Sequence, residues 1–172
     1  LGLLPGPIPG SDWSDVVPQP TVALVQNDTA RFIDKWVEFK VPSNTRCIWT
    51  KNITSTPETS YIPIAHGEGR FVPANETVMQ EIEDSGRVAC RYGANDNPNG
   101  SIGDVMGICD ASGLVFGLMP HPERFLRWTQ HPTWTRLPKE QLQGDTLGLQ
   151  MFKNAVNHTK QNTQASCVEQ LT

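Results

Sequence analysis

The chain has 172 residues, 37% of them hydrophobic, which suits one domain with an ordinary core. Its net charge of −4, with 14 Lys and Arg scattered instead of gathered in a stripe, argues against a nucleic-acid footprint. The longest apolar runs, LGLL and LVFGLM, fall far short of a bilayer span, so neither nucleic acid nor membrane is expected as a partner.

The opening LGLLPGPIPGSDWSDVVPQP carries five prolines and three glycines, so only Leu1 to Leu4 can belong to a regular element, and they read as the end of one. In ARFIDKWVEFKV, residues 30–41, the crowding of Phe32, Trp36, Val37, Phe39 and Val41 predicts a strand. TRCIWTKN, residues 45–52, predicts a second strand pairing antiparallel with the first. SYIPIAHGEGRFV, residues 60–72, is a strand that runs into a glycine-rich turn and out again. NETVMQEIEDSG, residues 75–86, places Val78, Met79 and Ile82 at helical spacing, with a stop at Gly86.

RVACRY is a further strand and GANDNPNGS a polar turn region. DVMGICDASGLVFGLMP, residues 104–120, is a hairpin of two apolar strands joined at Asp110 to Gly113, and runs this continuously apolar expect cover on both faces. Leu147, Met151, Phe152 and Val156 form the stripe of a terminal helix. Residues 1–158 are thus expected to form the domain and the polar residues 159–172 a flexible tail.

The four cysteines show neither CxxC spacing nor close pairing with histidine. Cys47, Cys90 and Cys109 sit in strand-like runs and read as small buried hydrophobes of a reducing compartment, not as nucleophiles. The five N-x-S/T tripeptides, at Asn27, Asn52, Asn75, Asn99 and Asn157, are discounted as glycosylation sites because nothing else suggests secretion.

GLMPHPER, residues 117–124, fences His121 and Glu123 with Pro120 and Pro122. Each ring fixes its own φ and pushes the preceding residue towards extended geometry. In an extended chain residues i and i+2 share a side, which would set the carboxylate beside the imidazole as an acid that orients a base. A rigid loop with solvated polar residues is the alternative. AHGEG has a double reading too: a plain tight turn, or glycines flanking Glu68 that let backbone N–H groups approach a carboxylate. A third arrangement, His121, Glu123 and His131 as a zinc set, would make a metal hydrolase.

Taken together, IPIAHGEGRF, NPNGS, GICDASGLVFGLMPHPER and LGLQMFKNAV resemble the class I glutamine amidotransferase family, in the PurQ-type glutaminase branch of phosphoribosylformylglycinamidine synthase. The resemblance covers about Leu1 to His158, with LGLLPG fitting the end of the helix that follows the nucleophile elbow. It implies a flavodoxin-like α/β fold with a doubly wound, largely parallel sheet, cut at the N-terminus so that the elbow cysteine and the first strands fall before Leu1. His121 then matches the base of a Cys-His-Glu triad and Glu123 its orienting acid, and His66, Gly67 and Glu68 match the loop that lines the glutamine pocket. Arg124 is expected to anchor the loop or the synthetase interface. The implied activity is hydrolysis of L-glutamine to supply ammonia to a cytoplasmic synthetase of purine biosynthesis. ATP and Mg2+ belong to that partner, and no cofactor is expected here. The competing implication is an inactive remnant or binding module of the same fold.

Overall fold

The computed structural model describes residues 3–7, 19–57 and 59–169, with side chains up to residue 163. Strand β1 (Val22–Val25) pairs antiparallel with β4 (Arg70–Pro73) in a two-stranded sheet. A five-stranded sheet runs in the order β3 (Tyr61–His66), β2 (Ile33–Lys40), β5 (Val88–Tyr92), β6 (Val105–Cys109), β7 (Phe116–Leu118). Helix α1 (Glu76–Asp84) precedes β5, and α2 (Leu147–Glu169) closes the chain. The class is α/β, as the resemblance implied, but every pairing among the described strands is antiparallel.

The central strands feed both faces of the sheet. Cys90, Tyr92 and Met106 join Val37, Phe39, Ile62 and Ile64 in one buried cluster, which Leu147 and Met151 of α2 complete. Val88, Val105 and Ile108 join Ile82 of α1 and Phe71 in a second. β6 is accordingly buried at all five positions, matching the continuous apolar run that called for cover on both faces, but the second run of the hairpin is not: β7 is only half-buried as the edge strand, and Leu114 and Val115 before it are exposed.

Local signals place several elements. The Asn75 side chain accepts a hydrogen bond from the Val78 amide at 2.9 Å, capping α1, and Gly86 beyond it sits at φ +67°, where a Cβ would stand 2.3 Å from the Asn44 carbonyl. The β6–β7 hairpin is stapled by Asp110, whose carboxylate accepts from the Ser112 hydroxyl at 2.7 Å and the Val115 amide at 3.0 Å.

Three expectations are corrected. Residues 45–52 turn instead of forming a strand: Lys51 donates to the Cys47 carbonyl, and Asn52 has φ +61°. Both edges of β2 are already taken, by β3 and by β5, so this segment plugs inward, with Thr50 donating from its hydroxyl to the Ala89 carbonyl at 2.9 Å. Next, α2 continues past Thr159 to Glu169, in a stretch without Gly or Pro to stop it, so the polar tail begins inside a helix. Last, Phe152 and Val156 are exposed, and the inner stripe of α2 runs from Leu147 and Met151 to Asn154, whose amide donates to the carbonyls of Trp49 and Lys51. Leu3 and Leu4 lie in irregular chain, and Leu1 and Gly2 are outside the described residues.

Beneath the sheet, His131 is buried against the rings of Trp36 and Phe125, at centroid distances of 5.1 and 5.7 Å. Burial holds its imidazole below the ordinary value of 6.5. The unfolded chain takes up a proton near that pH while the native ring stays neutral, so stability is full above it and is lost as pH falls below it. The urea midpoint of a protein containing these residues should drop on acidification from about pH 7.5 to about pH 5.5, and drop less in His131→Gln.

Candidate active site

The loop after β7 is built on the outer edge of β3. Pro120 bridges Ile64, and the His121 amide donates to the Pro63 carbonyl at 2.8 Å. Pro122 then opens a single 3-10 turn, Pro122–Arg124, closed by Arg124 donating to the His121 carbonyl at 3.0 Å. That turn swings Glu123 back so that its Oε1 accepts from His121 Nδ1 at 2.8 Å. The two residues thus meet as expected, although through a 3-10 turn and not along an extended chain. With Nδ1–H held by a carboxylate, the lone pair of His121 is on Nε2.

Below the turn, Phe125 is fully buried, packs edge-on against Trp36 at 4.9 Å, and accepts through its carbonyl from the Thr146 hydroxyl at 2.6 Å. Arg124 reaches Asp34 of β2 at 3.6 Å, an exposed pair that ties the loop to the sheet and contributes little energy. His131 lies in the aromatic cluster instead of beside His121 and Glu123, and among the described residues no three His, Cys, Asp or Glu side chains gather as metal ligands.

His66, at the end of β3, faces the same space. A cavity of about 550 Å³ is lined by His66, His121 and Glu123 together with Trp49, Phe116, Leu118, Met119, Met151 and Phe152. Its walls are mostly apolar around a few convergent polar groups, the usual character of a ligand site. No thiol lines it. Cys90 is in the core of the sheet, while Cys47 and Cys109 are fully buried together, their mutual hydrogen bond holding the Cys47 thiol down at about 7 and pushing Cys109 up.

The turn from His66 to Gly69 is organised by Asn27, whose only mark in the sequence is an N-x-T tripeptide. The Asn27 side-chain amide donates to the carbonyls of Arg31 at 2.8 Å and His66 at 2.9 Å. Its Oδ1 receives His66 Nδ1 at 3.0 Å and the Gly69 amide at 3.2 Å, while its backbone amide donates to the Gly67 carbonyl at 2.9 Å. A Cβ at Gly69 would stand 2.3 Å from His66 Nδ1, so only glycine lets the chain fold back over the ring. Asn99, fully buried within NPNGS, donates to the Gly69 carbonyl at 2.8 Å and braces the turn from behind. Neither asparagine is available for a glycan in the folded chain. Glu68 is exposed at the tip.

Comparisons with known proteins show what the chain is similar to. A family model described as the CobB/CobQ-like glutamine amidotransferase domain matches residues 1–159. The phosphoribosylformylglycinamidine synthase subunit PurQ of Dehalococcoides mccartyi is 36% identical over 166 residues, covering 93% of this chain and 58% of that one. The subunit of the same name from Nostoc sp. is 49% identical over 102 residues, 59% of this chain and 44% of that one. Among solved structures, a chain of PurLQS from Thermotoga maritima is similar with a TM-score of 0.55 and 32% identity, over 79% of this chain and 52% of that one. The chain therefore spans between about two fifths and three fifths of the length of these relatives.

One glycine sets how closely α2 approaches the His121 loop. A Cβ at Gly148 would lie 2.1 Å from the Pro122 carbonyl oxygen and 2.5 Å from that of Phe125, both backbone atoms. Gly to Ala within a helix ordinarily gains about 0.5–1 kcal/mol. Here Gly148→Ala should instead lose about 1–3 kcal/mol as the helix is forced off the turn, read from the shift in denaturant midpoint.

Proposed function

The chain belongs to the CobB/CobQ-like glutamine amidotransferase domain family, and on that premise we propose that it supplies the histidine and carboxylate of a glutaminase whose ammonia feeds phosphoribosylformylglycinamidine synthase in purine biosynthesis. The observation that carries the reading is the His121 Nδ1 to Glu123 Oε1 hydrogen bond of 2.8 Å on the wall of an apolar-lined cavity. A base oriented by a carboxylate, with its second nitrogen free, is two thirds of a nucleophilic triad.

The chemistry follows from that geometry. A cysteine thiol brought to the cavity from outside its present lining gives its proton to His121 Nε2 and attacks the side-chain carbonyl carbon of glutamine. His121 passes the proton to the amide nitrogen as the C–N bond breaks and ammonia leaves. Water, deprotonated by the same nitrogen, then cleaves the thioester to glutamate and regenerates the thiol. Glu123 stabilises the imidazolium in both steps. On this reading the backbone N–H groups at Gly67 and Glu68 meet the α-carboxylate of glutamine, and His66 meets its side chain. The synthetase partner, with its ATP and Mg2+, performs the step that consumes ammonia in the cytoplasm.

A second reading is a binding module of the same fold without hydrolysis, since no cysteine is among the described residues that line the cavity. One experiment separates the two. In the full-length protein assayed with its synthetase, His121→Ala should cut glutamine-dependent turnover by about 10²–10⁴-fold and leave ammonia-dependent turnover intact, since free ammonia bypasses the triad. Glu123→Gln should cut it less, because a neutral amide keeps part of the orientation. Loss of both activities in His121→Ala would indicate a structural role, and no effect on either would favour the binding module. The 172-residue chain alone should release no ammonia from glutamine. Release abolished by Cys90→Ser or Cys109→Ser would place the nucleophile within it.

A further inference from the structure

The side chains of His121 and Glu123 are 37% and 55% exposed. A pair so open to water holds itself together weakly, and so does the Arg124 to Asp34 contact beside it. The geometry of the pair must therefore come from the backbone beneath it. At the front of the turn the His121 amide is anchored on the Pro63 carbonyl. Within the turn, Arg124 donates to the His121 carbonyl and Phe125 to the Pro122 carbonyl, both at 3.0 Å. A single 3-10 turn with two such bonds does not stand alone, so its rear needs an anchor as well.

The rear rests on α2. The carbonyl oxygens of Pro122 and Phe125 both lie against Gly148 in the first turn of the helix, where the positive end of the helix dipole favours them. Thr146, the residue before the helix, is 1% exposed and donates its hydroxyl to the Phe125 carbonyl at 2.6 Å. The direction of that bond is fixed, because a carbonyl can only accept. The Thr146 carbonyl meanwhile accepts from the Gln150 amide at 2.9 Å. One residue thus belongs to the helix through its backbone and to the turn through its side chain.

We propose that Thr146 is a positioning residue for the triad, whose hydroxyl fixes the peptide plane at the end of the Pro122–Arg124 turn and so keeps Glu123 Oε1 within hydrogen-bonding reach of His121 Nδ1. The inference rests on the amidotransferase reading of the pair. Without the donor, the buried Phe125 carbonyl is left unsatisfied and turns to find another partner. The amide of the same residue closes the turn on Pro122, so the turn loosens with it. Glu123 then leaves His121, and the ring loses the partner that keeps its hydrogen on Nδ1. Nε2 takes the hydrogen in part of the molecules, which removes the lone pair that the chemistry needs.

The test reads that tautomer in the full-length protein. With isotopically labelled histidine, the ring nitrogens are followed by NMR through the carbon-bound ring protons at about pH 8, where an ordinary imidazole is neutral. His121 is assigned by the loss of its signals in His121→Ala. The unmodified protein and Thr146→Ser, which keeps the donor, should show the hydrogen on Nδ1. Thr146→Val, equal in shape but without a donor, should show a mixture of tautomers, while the His131 signals stay in place as the mark of an intact aromatic cluster. In turnover with the synthetase, Thr146→Val should lower kcat for glutamine about tenfold and leave its KM within about twofold, and Thr146→Ser should recover most of the rate. Gln150→Leu, which cuts the ties of α2 to Thr54 but not to the turn, should keep both the tautomer and kcat. An unchanged tautomer in Thr146→Val overturns the assignment. So does an equal change in Gln150→Leu, in Thr146→Ser or in the His131 signals, each of which means that the hydroxyl is not the cause. If the unmodified protein with its synthetase releases no ammonia from glutamine, the amidotransferase reading fails, while the tautomer still decides whether Thr146 holds the pair together.

Discussion

The site depends on a proline within an edge strand. Pro63 pairs with Trp36 across β2–β3 and has no N–H to offer the open side of β3. Proline is tolerated in a sheet only where that donor is not needed, which is at an edge. Its carbonyl remains, and it is the group that receives the His121 amide. Pro120, opposite Ile64, is likewise without a donor. Two prolines, one on each side of this contact and one position out of register, allow a brief pairing and prevent a sixth strand from zipping on, so the chain must turn away after one bridge. That turn carries His121 and Glu123, and three residues after Pro63 the same strand ends in His66. A single strand thus measures the separation between the two imidazoles.

The parts legible in the sequence were those whose signals are local. Asn75 and Gly86 bound α1, Asp110 and Gly113 mark the hairpin, and the uninterrupted apolar run of β6 announces a strand covered on both faces. The residues 45–52 misled because Cys47, Ile48 and Trp49 look like a strand, while the deciding fact, that both edges of β2 are occupied elsewhere, is a property of the whole sheet. The stripe on α2 failed for a related reason. Asn154 makes its inward contacts through an amide, which hydrophobic periodicity does not register.

The site is unevenly legible for the same cause. His121 and Glu123 are neighbours in sequence, so their pairing could be reasoned from proline geometry even though the turn differs from the extended form assumed. Asn27 and His66 are 39 residues apart, and nothing near Asn27 marks it as the hub of a distant loop. The buried Asn99 is equally silent, since NPNGS reads as an ordinary polar turn until Gly69 is seen to rest against it. Polar groups that satisfy one another across the fold are specified by topology, and a single sequence states topology only indirectly.

The arrangement around Asn27 bears on how the His66 loop moves. Its side chain and backbone together bond to Arg31, His66, Gly67 and Gly69, so no one of these contacts can open without stranding others away from water. The loop is therefore a single cooperative unit, closed or released as a whole, with few frayed intermediates. In hydrogen exchange, the amide protons of Asn27 and Gly69 would share one protection factor, set by the opening equilibrium of the entire turn and not by the exposure of either residue.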